Sequence, residues 1–283
     1  RINKKIESFN QKIKVAGDKS LSIRWILLAS QATGKSRAYN LLMSEDVLTA
    51  IESIKTLGIK VKIHKNYCEI FGNGINGFKY KKNLTINAGN SGTLGRLILG
   101  LLIKSPQKIK IIGDKSLSKR DFSRVTLPLE KFGAKFYYKT KNNLPLSILG
   151  SHSVKGIKYL ENKGSAQCKS SVMLAALNAS GTTSIKAKKS RNHSELLFKY
   201  LKIPTKIKKN KKYDFIDIQR PKKINAFNYQ IPGDISSSAF FIVLTTLTND
   251  SKLLIKNVNI NPSRTGVIKI LKKMGAKISL KNQ

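Results

Sequence analysis

A chain of 283 residues can bury one or two hydrophobic cores. No apolar run approaches the about 18 residues of a membrane-spanning helix, and the start carries no signal-peptide pattern. The 54 Lys and Arg against 15 Asp and Glu give a net charge of +39, which invites a nucleic-acid reading. The lysines are scattered through the chain, however, and with abundant Asn and Ile they fit an AT-rich coding bias and solvated faces. Weak, salt-sensitive sticking to nucleic acid is expected, and no specific recognition. Cys68 and Cys168 lack metal-ligand spacing and read as reduced thiols of a cytosolic protein. Arg1 rather than Met heads the sequence, which suggests a fragment or a trimmed chain.

Residues 1–16 carry Ile6, Phe9, Ile13 and Val15 and read as an edge strand leading to Gly17-Asp18. A helix follows from Asp18, with Ser20 at its start and Arg24 in its apolar run. Gly34-Lys35-Ser36 resembles the end of a P-loop, but Ala29 stands where that motif needs Gly, and the helix–strand order is reversed. A second helix opens on Ser44-Glu45-Asp46 and stops at Leu57-Gly58, and the first unit extends to about Lys82.

The second unit opens on Asn87-Ala-Gly-Asn-Ser-Gly-Thr93. Leu94, Leu97, Ile98, Leu101 and Leu102 then keep the spacing of a helix with one buried face. Arg96 interrupts that face four residues after Gly92. A strand over Lys108 to Ile112 leads to a second helix opening at Ser118-Lys119-Arg120 and ending at Phe132-Gly133, with Pro128 expected to bend or shorten it. Lys139 to Asn143 reads as a turn, and the unit ends near Gly150.

The third unit repeats the plan. Its first helix starts at Gly164-Ser-Ala-Gln-Cys-Lys169 and its second at Ser190-Arg191. The exit is Leu201-Lys-Ile-Pro204, Lys206 to Lys212 reads as a turn, and the unit ends near Asn228. A fourth copy begins at Ile231-Pro-Gly-Asp234, continues through a strand at Leu253 to Ile255, opens a second helix on Ser263-Arg264 and stops at Met274-Gly275. The anchor serines Ser20, Ser91, Ser165 and Ser236 stand 71, 74 and 71 residues apart. Each unit therefore reads helix, strand, helix, strand, which is a repeat architecture. Three such units can close on one another; the fourth has nothing to close on.

Arg24, Arg96 and Lys169 hold one repeat position beside amide-rich helix starts, and Phe240 replaces them in the fourth unit. Three cations in otherwise apolar helices favour a shared anionic ligand. Arg120 and Arg191, opening second helices, oppose the helix dipole unless an anion sits between them. His193 is a candidate general base or a simple hydrogen-bonding residue. No Ser-His-Asp order, paired metal spacing or obvious acidic pair is present.

These residues closely resemble the EPSP synthases, the 3-phosphoshikimate 1-carboxyvinyltransferase family. The carriers are Gly17-Asp-Lys-Ser20, Asn90-Ser-Gly-Thr93 with Arg96, Gly113-Asp-Lys-Ser-Leu-Ser-Lys-Arg120, Ser165-Ala-Gln-Cys-Lys169, Arg191-Asn-His-Ser-Glu195, Ile231-Pro-Gly-Asp234 and Asn261-Pro-Ser-Arg264. The forms at Ser165 and Arg191 look like the second class of the family, in which glyphosate tolerance is common. Gly92 points the other way, since tolerant types carry Ala there. Ser263 replaces a Thr, and Asp121 replaces a Pro after Arg120, which is expected to loosen that helix start.

The resemblance implies an α/β fold, the inside-out α/β barrel of βαβαββ repeats found in enolpyruvyl transferases. Residues 18–230 would form the complete three-repeat globule. Residues 1–17 and 231–283 would be an incomplete part of the second, with hinges near Gly17 and Ile231. It further implies that Lys19, Ser20, Arg24, Ser165, Ala166, Gln167, Ser190 and Arg191 bind shikimate 3-phosphate, with Arg24 at the carboxylate. Lys19, Gly92, Arg120 and Gln167 would meet phosphoenolpyruvate. Lys19 is the catalytic candidate, and the catalytic Asp and Glu are expected beyond Gln283, so turnover by these residues alone is not expected. Neither metal nor cofactor is implied. The full-length protein would be a monomer, cytoplasmic in a bacterium or plastid-borne in a eukaryote. The rival enzyme is UDP-N-acetylglucosamine enolpyruvyl transferase, whose motifs and loop Cys have no counterpart here. The rival from another class is a basic nucleic-acid-binding repeat protein.

Overall fold

The computed structural model describes residues 6–281. Three helices make its centre: α1 (Lys19–Ser30), α3 (Gly92–Leu101) and α5 (Ala166–Ala176), with α2 (Glu45–Thr56) between the first two in sequence. Ten of twelve residues are buried in α1, eight of ten in α3 and nine of eleven in α5. Helices covered on every side belong to a core rather than to a surface. Each starts on an acceptor side chain that satisfies a first-turn amide. Asp18 accepts from Leu21 N at 3.0 Å, Ser91 from Leu94 N at 3.3 Å and Ser165 from Cys168 N at 3.3 Å.

Outside these helices lie three four-stranded sheets. The first holds β2 (Thr33–Tyr39), β3 (Lys60–Ile63) and β4 (Tyr67–Asn73). The second holds β5 (Thr85–Asn87), β6 (Ile109–Ile112), β7 (Lys135–Tyr138) and β8 (Leu146–Leu149). The third holds β9 (Lys158–Glu161), β10 (Thr182–Lys188), β11 (Thr205–Lys209) and β12 (Tyr213–Gln219). The orders β5-β6-β8-β7 and β9-β10-β12-β11 are the same plan, one parallel pair followed by an antiparallel hairpin. The first unit enters directly on α1 and has no leading strand of its own. β13 (Asn228–Gln230), after the third unit, fills that place parallel to β2. Helices inside and sheets outside agree with the inside-out arrangement that the family resemblance implies.

Several local expectations need correction. A unit is a strand, helix, strand, helix and hairpin; the four-element reading missed one hairpin strand and the leading strand. Lys206 to Lys209 belongs to β11, and the turn is confined to residues 210–212. The second helices of units two, three and four start later than their Ser-Lys/Arg pairs. They are α4 (Ser123–Glu130), α6 (His193–Tyr200) and α8 (Gly266–Lys273), while Leu117–Lys119 forms a 3-10 turn. Arg120, Arg191 and Arg264 thus stand on the approaches to helices. Asp121 does not loosen α4. Its Oδ1 accepts from Ser123 N at 2.7 Å and its Oδ2 from Ser123 Oγ at 2.9 Å, which caps the start. Pro128 lies within α4, which at eight residues matches the proline-free α6 and α8 and is shorter than the twelve-residue α2. Gly34, Lys35 and Ser36 lie in β2 and form no phosphate loop.

The remaining elements are β1 (Asn10–Lys14), parallel to β14 (Lys252–Lys256), and the helices α7 (Ile235–Leu247) and α8. The expected edge strand is therefore present as β1; residues 1–5 lie outside the described part. Two chain crossings join this region to the three-sheet body. Asp18 N donates to Pro232 O at 2.8 Å and Asp234 N to Ala16 O at 2.9 Å. Among the described residues no helix is long and apolar enough to cross a membrane.

Candidate functional site

Gly92 opens α3 without a side chain. A Cβ there would lie 2.9 Å from both Arg96 Nη1 and Arg120 Nη1, so two guanidinium groups flank this amide-rich end. Arg96 Nη1 donates to Gln167 Oε1 at 2.8 Å, and Gln167 Nε2 donates to Thr93 Oγ1 at 3.0 Å. The start of α5 is thereby tied to the start of α3, and Gly92, Arg120 and Gln167 meet in one cluster through Arg96. Arg120 Nη2 reaches Asn90 Oδ1 at 3.5 Å. Burial, with Arg120 and Arg124 nearby, pushes the Arg96 pKa down. Among the described residues no carboxylate forms an ion pair with Arg96 or Arg120.

At the start of α1, Lys19 Nζ lies 2.8 Å from Asp46 Oδ2 and its backbone N 3.4 Å from Asp234 Oδ2. Arg24 is buried between helices. Its Nε donates to Ser194 Oγ at 2.9 Å, Nη1 to Ser20 O at 3.0 Å and Nη2 to Ser170 Oγ at 3.0 Å. Burial lowers its pKa to about 10, against the raising effect of Glu195 and Asp18, so it stays protonated at neutral pH.

Lys169 departs from the expected set. Its Nζ lies 2.5 Å from Glu195 Oε1, and both side chains are buried. The cation is neutralised inside the protein and is not part of a shared anion site. Glu195 is thus a residue the sequence reading missed as a partner. A buried cation in an apolar helix requires a carboxylate, and Glu195 stood within a quoted motif. His193 is also buried, and neither ring nitrogen has a partner. Burial first, then Arg24, Arg264 and Arg191, lowers its pKa to about 3. A neutral imidazole of that basicity is a poor general base at neutral pH.

A cavity of about 960 Å³ opens beside the start of α5. Ser165, Ala166, Gln167, Ser190 and Arg191 line it from the three-sheet body, with Lys209 and Asp214 beside the turn of the β11–β12 hairpin. Asn261, Pro262, Ser263 and Lys269 line it from the fourth unit. Asn192 holds the two sides together, its Oδ1 accepting from Asn261 Nδ2 at 2.7 Å and Ser263 Oγ at 3.1 Å. Lys19, Ser20, Arg24, Gly92 and Arg120 are outside this lining; Gln167 belongs to both the cavity and the α3 cluster. Asp234, which contacts Lys19 N, also pairs with Arg264 at 3.3 Å. Arg264 in turn acts with burial to lower the Arg191 pKa.

Three buried helices with capped, amide-rich starts, each backed by a four-stranded sheet, define an α/β protein of repeated units. A family model for EPSP synthase (3-phosphoshikimate 1-carboxyvinyltransferase) matches residues 3–283. The 3-phosphoshikimate 1-carboxyvinyltransferase of Streptococcus pyogenes serotype M4 is 40% identical over 268 residues, covering 94% of this chain and 62% of the relative. That of Vesicomyosocius okutanii is 40% identical over 272 residues, covering 96% and 61%. The solved EPSP synthase of Acinetobacter baumannii superposes with a TM-score of 0.88 at 35% identity, covering 98% of this chain and 62% of that one. The chain belongs to the EPSP synthase family and has the enolpyruvyl transferase fold. It spans 61–62% of the length of these curated relatives.

Proposed function

We propose that this chain carries the shikimate 3-phosphate side of an enzyme that transfers the enolpyruvyl group of phosphoenolpyruvate to the 5-hydroxyl of shikimate 3-phosphate and releases phosphate. Residues 18–230 are the complete globule in this reading, and 1–17 with 231–283 are part of a second. The enzyme acts as a monomer in the bacterial cytoplasm, or in a plastid in a eukaryote. The observation that carries the reading is the joining of Gly92, Arg120 and Gln167 through Arg96 at two helix starts, in a chain of this family.

Ser165, Ala166, Gln167, Ser190 and Arg191 hold the substrate phosphate and ring, where the amides of α5 and a guanidinium favour a dianion. Lys19, Ser20 and Arg24 hold the rest of that substrate, Arg24 at the carboxylate. Lys19, Gly92, Arg120 and Gln167 take phosphoenolpyruvate. Its negative charge relieves the crowding of Arg96 and Arg120, and Gly92 leaves room for the anion to approach the α3 amides. The 5-hydroxyl attacks C2 of phosphoenolpyruvate as C3 gains a proton. The tetrahedral adduct then loses phosphate from C2 and the proton from C3. Fixed charges and positioning supply most of the acceleration. Lys19 serves proton transfer once freed from Asp46, a half-exposed ion pair that is readily broken.

Calorimetric titration tests the reading. Shikimate 3-phosphate is expected to bind saturably at moderate salt, and Arg191→Ala to weaken it about tenfold. An oligonucleotide should give only salt-sensitive, unselective binding. No saturable site for shikimate 3-phosphate would overturn the reading. Phosphate release by these residues alone would overturn the placing of the catalytic carboxylates outside them.

A further inference from the structure

Many lysines of this chain have ammonium groups over rings on the outer sheet faces. Lys60 and Lys62 lie over Phe71, Lys108 over Tyr137 and Lys186 over Phe215. Two others line the cavity beside the start of α5. Along β11, Lys206 and Lys208 alternate with Thr205 and Ile207, and Ile207 packs on the core. Lys209 ends this strand, exposed, on the Ile207 side of its period-two alternation. Its register partner on β12 is Asp214, a buried residue. Lys269 lies in the first turn of α8, where the positive end of the helix repels it. Lys272 and Lys273, by contrast, occupy the favourable last turn. Lys209 from the third unit and Lys269 from the fourth line the same cavity, together with Arg191 and the start of α5. Among the described residues neither forms an ion pair.

Resting on the proposal that this cavity takes the substrate phosphate, we infer that Lys209 and Lys269 are specificity residues. They recognise the doubly charged phosphate monoester and separate it from the same ring acid without phosphate. Ser165, Ala166, Ser190 and Arg191 fix the phosphate by directed hydrogen bonds. The two lysines act as point charges on flexible stems, which suits a cavity of about 960 Å³, wider than one phosphate. A bound dianion offsets the unfavourable placement of Lys269 near the start of α8 and adds a counter-charge beside the exposed Lys209. Lys269 comes from the fourth unit, so the phosphate is held from both sides of the chain crossing.

The experiment is calorimetry on the full chain with shikimate 3-phosphate, shikimate and inorganic phosphate. Lys209→Ala and Lys269→Ala are compared with the unaltered protein at two salt concentrations. Both lysines are exposed, so the variants should keep the unaltered melting temperature. Each is expected to bind shikimate 3-phosphate about three- to tenfold more weakly and shikimate unchanged, with the loss shrinking at high salt. Lys269→Arg should restore most of the affinity. If both alanine variants bind shikimate 3-phosphate like the unaltered protein, the lysine assignment falls while the substrate reading stands. If the unaltered protein binds inorganic phosphate but not shikimate 3-phosphate, the substrate reading falls and takes the assignment with it.

Discussion

Helices α5 and α7 hold the same place in the repeat, their anchor serines Ser165 and Ser236 standing 71 residues apart. Both are apolar and both begin on a side-chain cap, Ser165 for α5 and Asp234 for α7. Nine of eleven residues are buried in α5, but only Ile235 and Ser238 of thirteen in α7. Phe240 is 78% exposed and Leu247 79%. α5 packs against α3, α4 and β10, whereas α7 has β14 as its main neighbour. The same local recipe thus gives a core helix where two sister helices close around it, and an open apolar face where they do not. What stabilises a helix of this fold is its place in a trio more than its own pattern.

The harshest test of that contrast lies in the closed region. Glu195→Ala leaves the Lys169 ammonium buried and unpaired, and should cost about 3–5 kcal/mol in urea unfolding. Replacing the pair together, Lys169→Met with Glu195→Leu, should recover most of the loss. A small effect of Glu195→Ala alone would mean that water reaches this part of the centre. Next in size is a matched pair of truncations. Leu97→Ala, at a fully buried site in α3, should cost about 2–5 kcal/mol. Leu247→Ala in α7 should stay within about 0.5 kcal/mol. Equal losses would break the comparison, because α7 would then be packed in solution.

The charges that act on His193 come from both parts of the chain, Arg24 and Arg191 from the three-sheet body and Arg264 and Asp234 from the fourth unit. Its folded pKa of about 3 lies below the ordinary 6.5. The unfolded chain therefore binds the extra proton first as pH falls. The stability held by the neutral ring is complete above about pH 6.5 and is lost progressively down to the folded pKa. Between pH 6.5 and 5 the unfolding free energy should drop by about 1–2 kcal/mol. His193→Asn should flatten that slope. An unchanged slope would place the titration on another group.

The repeat was legible because its signals are local: capping serines, a helical apolar period and glycine exits. The partner of Lys169 was not, because charge pairing across α5 and α6 depends on how two helices meet. Arg24 was legible as a cation in an apolar helix. Its neutral partners, Ser170 and Ser194, lie 146 and 170 residues away, and no spacing rule reaches them. The extra strand of each hairpin escaped for a different reason. Lysines on the outward positions of β11 hide its alternation under charge, and β13 is only three residues long. The cluster of Gly92, Arg120 and Gln167 was readable only through the family resemblance; its members come from three separate segments.

A smaller effect than that of His193 is expected at a helix exit. Units one, two and four leave their second helix on Gly58, Gly133 and Gly275, at φ of 83°, 95° and 94°. Unit three has Lys202 at that place, with φ of 53°. A side chain in the left-handed region carries about 1–2 kcal/mol of strain, which glycine avoids. Glycine also adds freedom to the unfolded chain, which offsets part of the gain. Lys202 is exposed, and its backbone N–H bond to Lys199 O at 3.0 Å does not need the side chain. Lys202→Gly should therefore stabilise the protein by about 0.5–1 kcal/mol. Gly58→Ala should act in the opposite sense, since its Cβ would lie 2.3 Å from Lys79 O. A loss of stability in Lys202→Gly would show that the third unit leaves its helix by a rule of its own.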